Sequence, residues 1–300
     1  MRVVVGVLIL LLSGAVNSHD AVKSDVFAEI VITPKISVLQ GKGGNIGLIK
    51  GEDGFSIIDD DYKQNDHALV DILAKVTSSV GMPNGSVPDY VINTHWHRDH
   101  TGGNEILGGD SIIVAHENVR KRLSTQQSID LFNLNLPPIS EAGLPQITYQ
   151  SSISFHIYDQ TLTMVHYPNG HTDGDSVVFM QPANVVHMGD HYFQGRFPFI
   201  DIQNGGDVRG MARNIENVLS LIDDKTVVIP GHGGLSDKQE LASYKDMLKS
   251  SMEAVNDCHK AGLDLIACQQ KGLSPINGSW GKGFINETTW IKILYRNLRD

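Results

Sequence analysis

The feature that most constrains this chain is the run His95 to His100, which reads His-Trp-His-Arg-Asp-His. A short apolar run at residues 89–94 precedes it and predicts a buried strand. Because side chains at positions i and i+2 of a strand point to the same side, His95 and His97 should project together. Asp99 and the last histidine then arrive as the chain turns. Imidazole and carboxylate groups gathered in this way indicate a site for zinc or a similar divalent ion.

The context of the run supports this interpretation. Thr101-Gly102-Gly103-Asn104 follows it and predicts a tight turn in which Gly102 and Gly103 are free to take positive φ. The alternative is a chance cluster in a chain with 13 histidines among 300 residues. A strand that ends directly in the motif, followed by a glycine turn, favours the metal site over chance.

Composition places the chain among globular proteins and narrows its partners. Hydrophobic residues make up 41% and charged residues 19% of the sequence, without low-complexity tracts. The formal net charge of −10 argues against a nucleic-acid partner, which would require a basic face. The acidic charge says little about the substrate; a small-molecule substrate is expected from the motifs that follow, and the oligomeric state is left open.

The first 18 residues have the pattern of a secretory signal. Arg2 supplies the positive charge, Val3 to Leu12 is almost entirely apolar, and small residues lead to a cleavage point before His19. The apolar run is too short to span a membrane, so no stable membrane anchor is expected. We therefore expect a signal peptide at 1–18, one domain at 19–300 with C-terminal closing helices, and a periplasmic or secreted protein. An N-terminal core strand or an uncleaved anchor is the alternative.

Cys258 and Cys268 are the two cysteines of the sequence. In an exported protein such a pair can form a disulfide, but two buried thiols fit the sequence equally well. Neither cysteine has neighbours that indicate a nucleophile or a metal ligand.

Short apolar runs and amphipathic segments predict sheets covered by helices. Two stretches without periodicity, 124–147 and 193–206, are predicted to be irregular and to serve as binding loops. Strands are predicted at 27–33, 36–40, 45–50, 55–59, 111–115, 152–158, 161–167, 176–181, 185–188 and 226–230, and helices from residue 65 or 66, at 116–123, from 207, at 237–257 and at 287–298.

Three later segments extend the pattern, each after an apolar strand: Gly170 to Asp175, Gly189-Asp190 and Pro230 to Gly233. With the run at His95 they resemble the metallo-β-lactamase fold hydrolases over most of residues 27–300. The resemblance implies an α/β (α+β) protein, an αββα sandwich in which two mixed β-sheets pack face to face with outer helices.

The resemblance also implies a ligand set. Seven ligands are too many for one four-coordinate zinc and suit two metals that share a carboxylate and a water. The implied cofactor is a pair of Zn²⁺ ions, with iron or manganese as alternatives, and a metal-bridging hydroxide as nucleophile. In the family pattern the first ion is bound by His95, His97 and His171, and the second by Asp99, His100 and His232. Asp190 bridges the two ions. The residues implied to take part in catalysis are His95, His97, Asp99 and Asp190.

Further residues near these segments have two interpretations. Asp173 and Asp175 either orient an imidazole or only stabilise a turn. His116 and His191 are expected to be structural, with contact to substrate as the alternative. A substrate rim or simple packing of the loop is predicted for Phe193, Arg196, Phe197 and Phe199.

The expected function is that of an exported, zinc-dependent hydrolase acting on a cyclic amide or ester, a β-lactam-like or lactone substrate. The joint presence of Asp99-His100 and Asp190 departs from the β-lactamase branches and resembles thioesterase-like, lactonase-like and phosphodiesterase-like relatives. A thioesterase of the glyoxalase II type or a phosphodiesterase is therefore the alternative. A di-iron redox protein and a non-catalytic binding protein are two further alternatives.

Overall fold

The computed structural model describes residues 21–82, 87–274 and 280–299, so the predicted signal segment lies outside the described residues. Strands and helices are numbered here in chain order. The strands are β1 (Ala28–Val31), β2 (Ile36–Gln40), β3 (Ile46–Lys50), β4 (Phe55–Ile58), β5 (Tyr90–Ile92), β6 (Ile112–His116), β7 (Gln127–Ile129), β8 (Leu134–Leu136), β9 (Ile147–Tyr149), β10 (Ser152–Ile157), β11 (Gln160–His166), β12 (Ser176–Gln181), β13 (Val185–His187) and β14 (Val227–Ile229). The helices are α1 (Asp66–Ser79), α2 (Asn104–Leu107), α3 (Glu117–Leu123), α4 (Val208–Leu221), α5 (Lys238–Lys260), α6 (Leu265–Lys271) and α7 (Glu287–Asn297).

Two mixed sheets carry the fold. The first has seven strands in the order β1-β2-β3-β4-β5-β6-β9, antiparallel through β4 and parallel from β4 onwards. The second has five strands in the order β10-β11-β12-β13-β14, in which β13 and β14 are parallel. The predicted meander at the start of the chain is confirmed, and so is the return of strand pattern after residue 151.

Alternation along the strands explains how the layers assemble. Val38 and Val178 point between the sheets, whereas their neighbours Leu39 and Val177 point outward. The outer face of the first sheet packs on α1, and that of the second packs on α4, α5 and α7. Buried apolar residues thus form three layers of core, which confirms the αββα sandwich.

The helix starts follow their capping residues. Asp207 accepts a hydrogen bond from the Gly210 amide and begins α4, as the sequence predicts. The predicted apolar face of α4 is buried against the second sheet. None of the described helices is long and apolar enough to cross a bilayer.

Three local features differ from the sequence-based expectation or settle an open alternative. The stretch 124–147 is not wholly irregular, because β7 and β8 form a hairpin and β9 joins the first sheet. Gly102 and Gly103 do not take positive φ; a Cβ on Gly102 would lie 2.2 Å from the Lys63 amide nitrogen, so close backbone approach requires that glycine. Cys258 and Cys268 form a disulfide, with 5.7 Å between their Cα atoms.

Candidate metal centre

All the predicted ligands lie at strand ends or in connections on one edge of the sandwich. His95 follows β5, Asp190 follows β13, and His232 follows β14. Because β13 and β14 are parallel neighbours, their carboxyl ends meet at the same edge. His171 lies in the connection between β11 and β12. The topology therefore brings residues that are 137 positions apart in the chain, at numbers 95 and 232, into one cluster.

The first group consists of His95, His97, His171 and Asp190, all buried, with potential ligand atoms within 4.8 Å of one another. His97 Nδ1 lies 3.2 Å from His95 Nε2 and 2.8 Å from His171 Nε2. Three ring nitrogens thus converge on a single point, the arrangement that a three-histidine metal site requires.

The second group consists of Asp99, His100 and His232, whose ligand atoms also lie within 4.8 Å. His232 Nε2 is 3.3 Å from His100 Nε2 and 3.2 Å from Asp99 Oδ2. This group combines two imidazoles with a carboxylate and borders the cavity through its aspartate and His232.

Asp190 lies between the groups and turns one oxygen to each. Its Oδ2 is 3.3 Å from His171 Nε2 and 3.7 Å from His95 Nε2. Its Oδ1 is 3.1 Å from His100 Nε2 and 3.4 Å from His232 Nε2. A carboxylate in this position can contribute one oxygen to each of two metals.

Four of the five histidines are anchored through the ring nitrogen that faces away from the cluster. His97 Nε2 donates to Asp201 Oδ2 at 3.0 Å, and His171 Nδ1 donates to the Phe199 carbonyl at 2.8 Å. His100 Nδ1 donates to Asp59 Oδ2 at 2.7 Å. His95 Nδ1 donates to Thr94 Oγ1, which in turn donates to Asp59 Oδ2. Such outer partners fix the tautomer and the ring orientation of metal-binding histidines.

The donor set fits a metal on three independent observations. In a neutral imidazole whose outer nitrogen donates, the inner nitrogen is unprotonated, so the lone pairs of the first group face one another at 2.8–3.2 Å and need a cation between them. Asp190 Oδ1 is buried and, among the described residues, has no hydrogen-bond donor near it other than the imidazoles of the second group. A Cβ on Gly44 would lie 2.1 Å from the His100 ring, and one on Gly231 would lie 2.0 Å from Asp190 Oδ1. The backbone therefore leaves the ligand atoms room to converge.

The pKa values divide the cluster in two. Burial lowers the pKa of His95 well below its usual value and that of His171 to about 4. Burial would also lower the pKa of His232, but the carboxylates of Asp190 and Asp99 outweigh it and raise the pKa to about 9. Without a metal, His95 and His171 are thus neutral imidazoles, whereas His232 holds a proton that compensates the carboxylates beside it.

Comparison with known proteins agrees with this geometry. Residues 84–232, which contain all seven predicted ligands, match the family model of the metallo-beta-lactamase superfamily. The chain belongs to this superfamily. Its members are hydrolytic metalloenzymes. An uncharacterised protein of Mycobacterium leprae is 44% identical over 75 residues, which are 24% of this chain and 33% of that protein.

Solved structures show the same superfamily fold at low identity. A stereoselective inverting sec-alkylsulfatase from Pseudomonas sp. superimposes with a TM-score of 0.67 at 16% identity, covering 89% of this chain and 49% of that one. A metallo-beta-lactamase from Pontibacter korlensis superimposes with a TM-score of 0.59 at 18% identity, covering 74% of this chain and 99% of that one. The chain spans about half of the sulfatase chain and a third of the mycobacterial protein.

A cavity of about 480 Å³ opens onto the cluster of this superfamily member. Two of the four predicted rim residues, Arg196 and Phe199, line it. For the other two the structure selects the alternative of simple packing: Phe193 is buried with its ring against His232, and Phe197 stacks on Trp290 in the core.

Four other residues, for which the sequence left two interpretations, have structural roles. Asp175 accepts hydrogen bonds from the amides of His171 and Thr172 and so holds the ligand loop. Asp173 pairs with Arg122. Neither His116, which stacks on His166, nor His191, which contacts Asn214, lines the cavity.

Sequence reasoning missed the carboxylates behind the ligands. Asp59 serves His100 directly and His95 through Thr94, and Asp201 serves His97. Asp59 is fully buried and adopts φ +63°, a left-handed conformation that a non-glycine residue rarely takes. The sequence did contain an indication of this role. Asp59-Asp60-Asp61 follows β4, and β4 is the parallel neighbour of β5, the strand that leads to His95.

Proposed function

We propose that this protein is a di-zinc hydrolase that cleaves an acyl bond in a small molecule. The observation that carries the proposal is the position of Asp190, whose two carboxylate oxygens face the two ligand groups at 3.1–3.7 Å. A carboxylate shared in this way suits two ions rather than one. Nitrogen and oxygen ligands of this kind suit zinc.

The residues of the chain have distinct parts in this function. His95, His97 and His171 would hold the first ion, and Asp99, His100 and His232 the second, with Asp190 between them. When bound, two such ions supply an activated water nucleophile at neutral pH and polarise the substrate carbonyl. Asp59 and Asp201 keep the imidazoles oriented without reorganisation during turnover.

The proposed reaction is hydrolysis of a cyclic amide or ester. Water adds across the acyl bond, so the carbonyl carbon gains the oxygen of water and the departing nitrogen or oxygen takes a proton. A cavity of about 480 Å³ suits a small molecule rather than a macromolecule. The net charge of −10 supports the exclusion of nucleic acid.

We also propose that the protein is periplasmic or secreted. The disulfide between Cys258 and Cys268 supports this proposal, because such bonds persist mainly in oxidising compartments. The signal-like pattern of residues 1–18 supports it independently.

The test combines metal analysis with a substrate panel. Purified protein should bind two equivalents of zinc and should hydrolyse at least one of a β-lactam, a lactone and a thioester. A phosphodiester and a secondary alkyl sulfate complete the panel, and turnover confined to these two would refute the acyl bond as the reacting bond. Asp246→Asn, on the exposed face of α5, is a matched charge control that should keep both properties. Binding of a single equivalent, or none, together with no turnover on the whole panel would refute the proposal.

A further inference from the structure

Three phenylalanines form an aromatic collar around the mouth of the metal centre. Phe132 belongs to the β7–β8 hairpin, Phe199 to the loop that also holds Asp201, and Phe284 to the C-terminal segment. Phe132 lies 4.9 Å from Phe199 and 6.1 Å from Phe284 between ring centroids. Phe199 stacks on His97 at 5.7 Å, and Phe284 lies 6.5 Å from His232. The collar therefore runs without a break from a ligand of the first group to a ligand of the second.

The collar leaves a large apolar surface open to solvent. Phe132 is 39% exposed, Phe284 is 56% exposed, and Leu134, which lines the same cavity, is 44% exposed. Apolar side chains from separate segments that face one cavity mark a binding surface rather than scattered surface residues. Because His97, Asp190 and His232 line the same cavity, whatever covers the collar also reaches the metal centre. The occupant is therefore the substrate.

Arg196 adds a charge to this cavity. It is partly buried, and its guanidinium makes no hydrogen bond or ion pair with any described residue, whereas the guanidinium of Arg98 in the same cavity donates to the Pro137 carbonyl. Its stem packs closely on the chain near Phe284, since a Cβ on Gly283 would lie 3.0 Å from Arg196 Cβ. A guanidinium held beside a cavity without a partner is suited to a carboxylate or another planar anion.

We propose that the substrate is an anionic amphiphile: an ester or amide whose apolar chain lies in the aromatic collar and whose acidic group binds Arg196. The proposal rests on the proposed function for the reacting bond, and it adds the chemical class of the groups on either side of that bond. It predicts preference for chain length and for negative charge, and these can be measured separately.

Chain length is tested with p-nitrophenyl esters from acetate to octanoate. Each added methylene should raise kcat/KM by up to about fourfold until the collar is filled. Leu134→Ala should flatten this dependence. Leu221→Ala removes an equally large side chain that is 66% exposed on α4, and it should leave the dependence unchanged. Equal slopes in wild type and Leu134→Ala would overturn the assignment of the collar.

Charge is tested with a matched pair, p-nitrophenyl octanoate and p-nitrophenyl hydrogen suberate, which have the same chain length. Arg196→Gln should raise KM for the suberate by about tenfold and leave the octanoate unchanged, as expected for the loss of a charge-assisted hydrogen bond. Arg296→Gln is the matched control, because Arg296 lines a neighbouring cavity. An equal loss in both variants, or no loss in Arg196→Gln, would overturn the proposal.

Binding of octanesulfonate and of octanol, measured by calorimetry on the metal-loaded protein, separates this proposal from the proposed function. Arg196→Gln and Arg296→Gln keep every predicted metal ligand. Any direct binding of the sulfonate to metal therefore cancels when the Kd of each variant is divided by that of the wild type. Arg196→Gln should weaken the sulfonate about tenfold and leave octanol unchanged. This result would support the anionic amphiphile even if no ester were hydrolysed. Hydrolysis without any preference for chain or charge would overturn this inference alone.

Discussion

The two ligand groups of the metal centre differ in burial and in the chemistry of their side chains. His95 and His171 of the first group are 1% exposed, whereas His232 and Asp99 of the second group are 14% and 19% exposed and border the cavity. The first group is mainly imidazole with outer nitrogens fixed by protein acceptors. The second group adds a carboxylate of its own and uses protonated imidazole to balance it.

This difference indicates unequal roles for the two positions. Burial keeps His171 unprotonated above about pH 4, so a metal meets no competing proton at this ligand near neutral pH. In the second group a metal must displace protons, because nearby carboxylates outweigh burial and raise the pKa of His232 and of His100. We expect the first position to bind metal more tightly and the second, beside the cavity, to depend on solution conditions.

Removing one histidine from each group should give the largest difference in metal binding between the two positions. His171→Ala should weaken the first position by more than about 100-fold, since losing a ligand exceeds the usual loss from removing an outer partner. His232→Ala should empty the second position and leave one tightly bound ion. Metal content after dialysis against a weak chelator measures both. One ion retained equally in the two variants would contradict the unequal assignment.

Acidification should separate the groups in the wild-type protein. Between pH 8 and pH 6 the affinity of the second position should fall about tenfold per pH unit for each displaced proton, because this range lies below the His232 pKa of about 9. At the first position His95 and His171 should contribute no such slope, because the range lies above the His171 pKa of about 4 and burial also lowers the pKa of His95 well below its usual value. Zinc titrations at several pH values check this, and parallel slopes would show that the groups are equivalent.

Asp59→Asn should affect both groups to different degrees. The variant weakens the acceptor of His100 Nδ1 directly and that of His95 only through Thr94. We expect about 10- to 100-fold weaker binding at the second position and a smaller loss at the first. Competition with a chromophoric chelator measures both constants. A larger loss at the first position would mean that Asp59 acts through Thr94 more than through His100.

Asp201→Asn should give the smallest effect and should be confined to the first group, because Asp201 contacts His97 and no ligand of the second group. A loss of about tenfold is expected at the first position. Unchanged binding at both positions would show that the hydrogen bond from His97 does not orient the ring.

The sequence predicted the ligands better than their support. The ligands follow apolar strands and glycines, and this local pattern is visible without any structure. Asp201 carries no such pattern, because it lies in an irregular loop and reaches His97 only through the fold. The β7–β8 hairpin was missed for a related reason: its strands are three residues each, too short for periodicity to register.

The residues that line the cavity were also difficult to predict from the sequence. For four residues between Phe193 and Phe199 the sequence left open a substrate rim or packing of the loop, because composition alone could not divide the loop into core and cavity sides. Phe193 and Phe197 pack into the core, whereas the other two line the cavity. Phe132 and Phe284, which complete the collar, come from segments 152 residues apart in number. Only the packing of the hairpin and the C-terminal segment brings them together.

The central claim is that Asp190 is shared between two metals, and a stepwise zinc titration of Asp190→Asn against Asp99→Asn tests it most directly. The substitutions remove the same charge and keep the size of the side chain. Asp190→Asn should weaken both binding steps, because its two oxygens face the two groups, whereas Asp99→Asn should weaken only the second step. If Asp190→Asn leaves either step at its wild-type affinity, the carboxylate is not shared and the bridged two-metal centre is wrong.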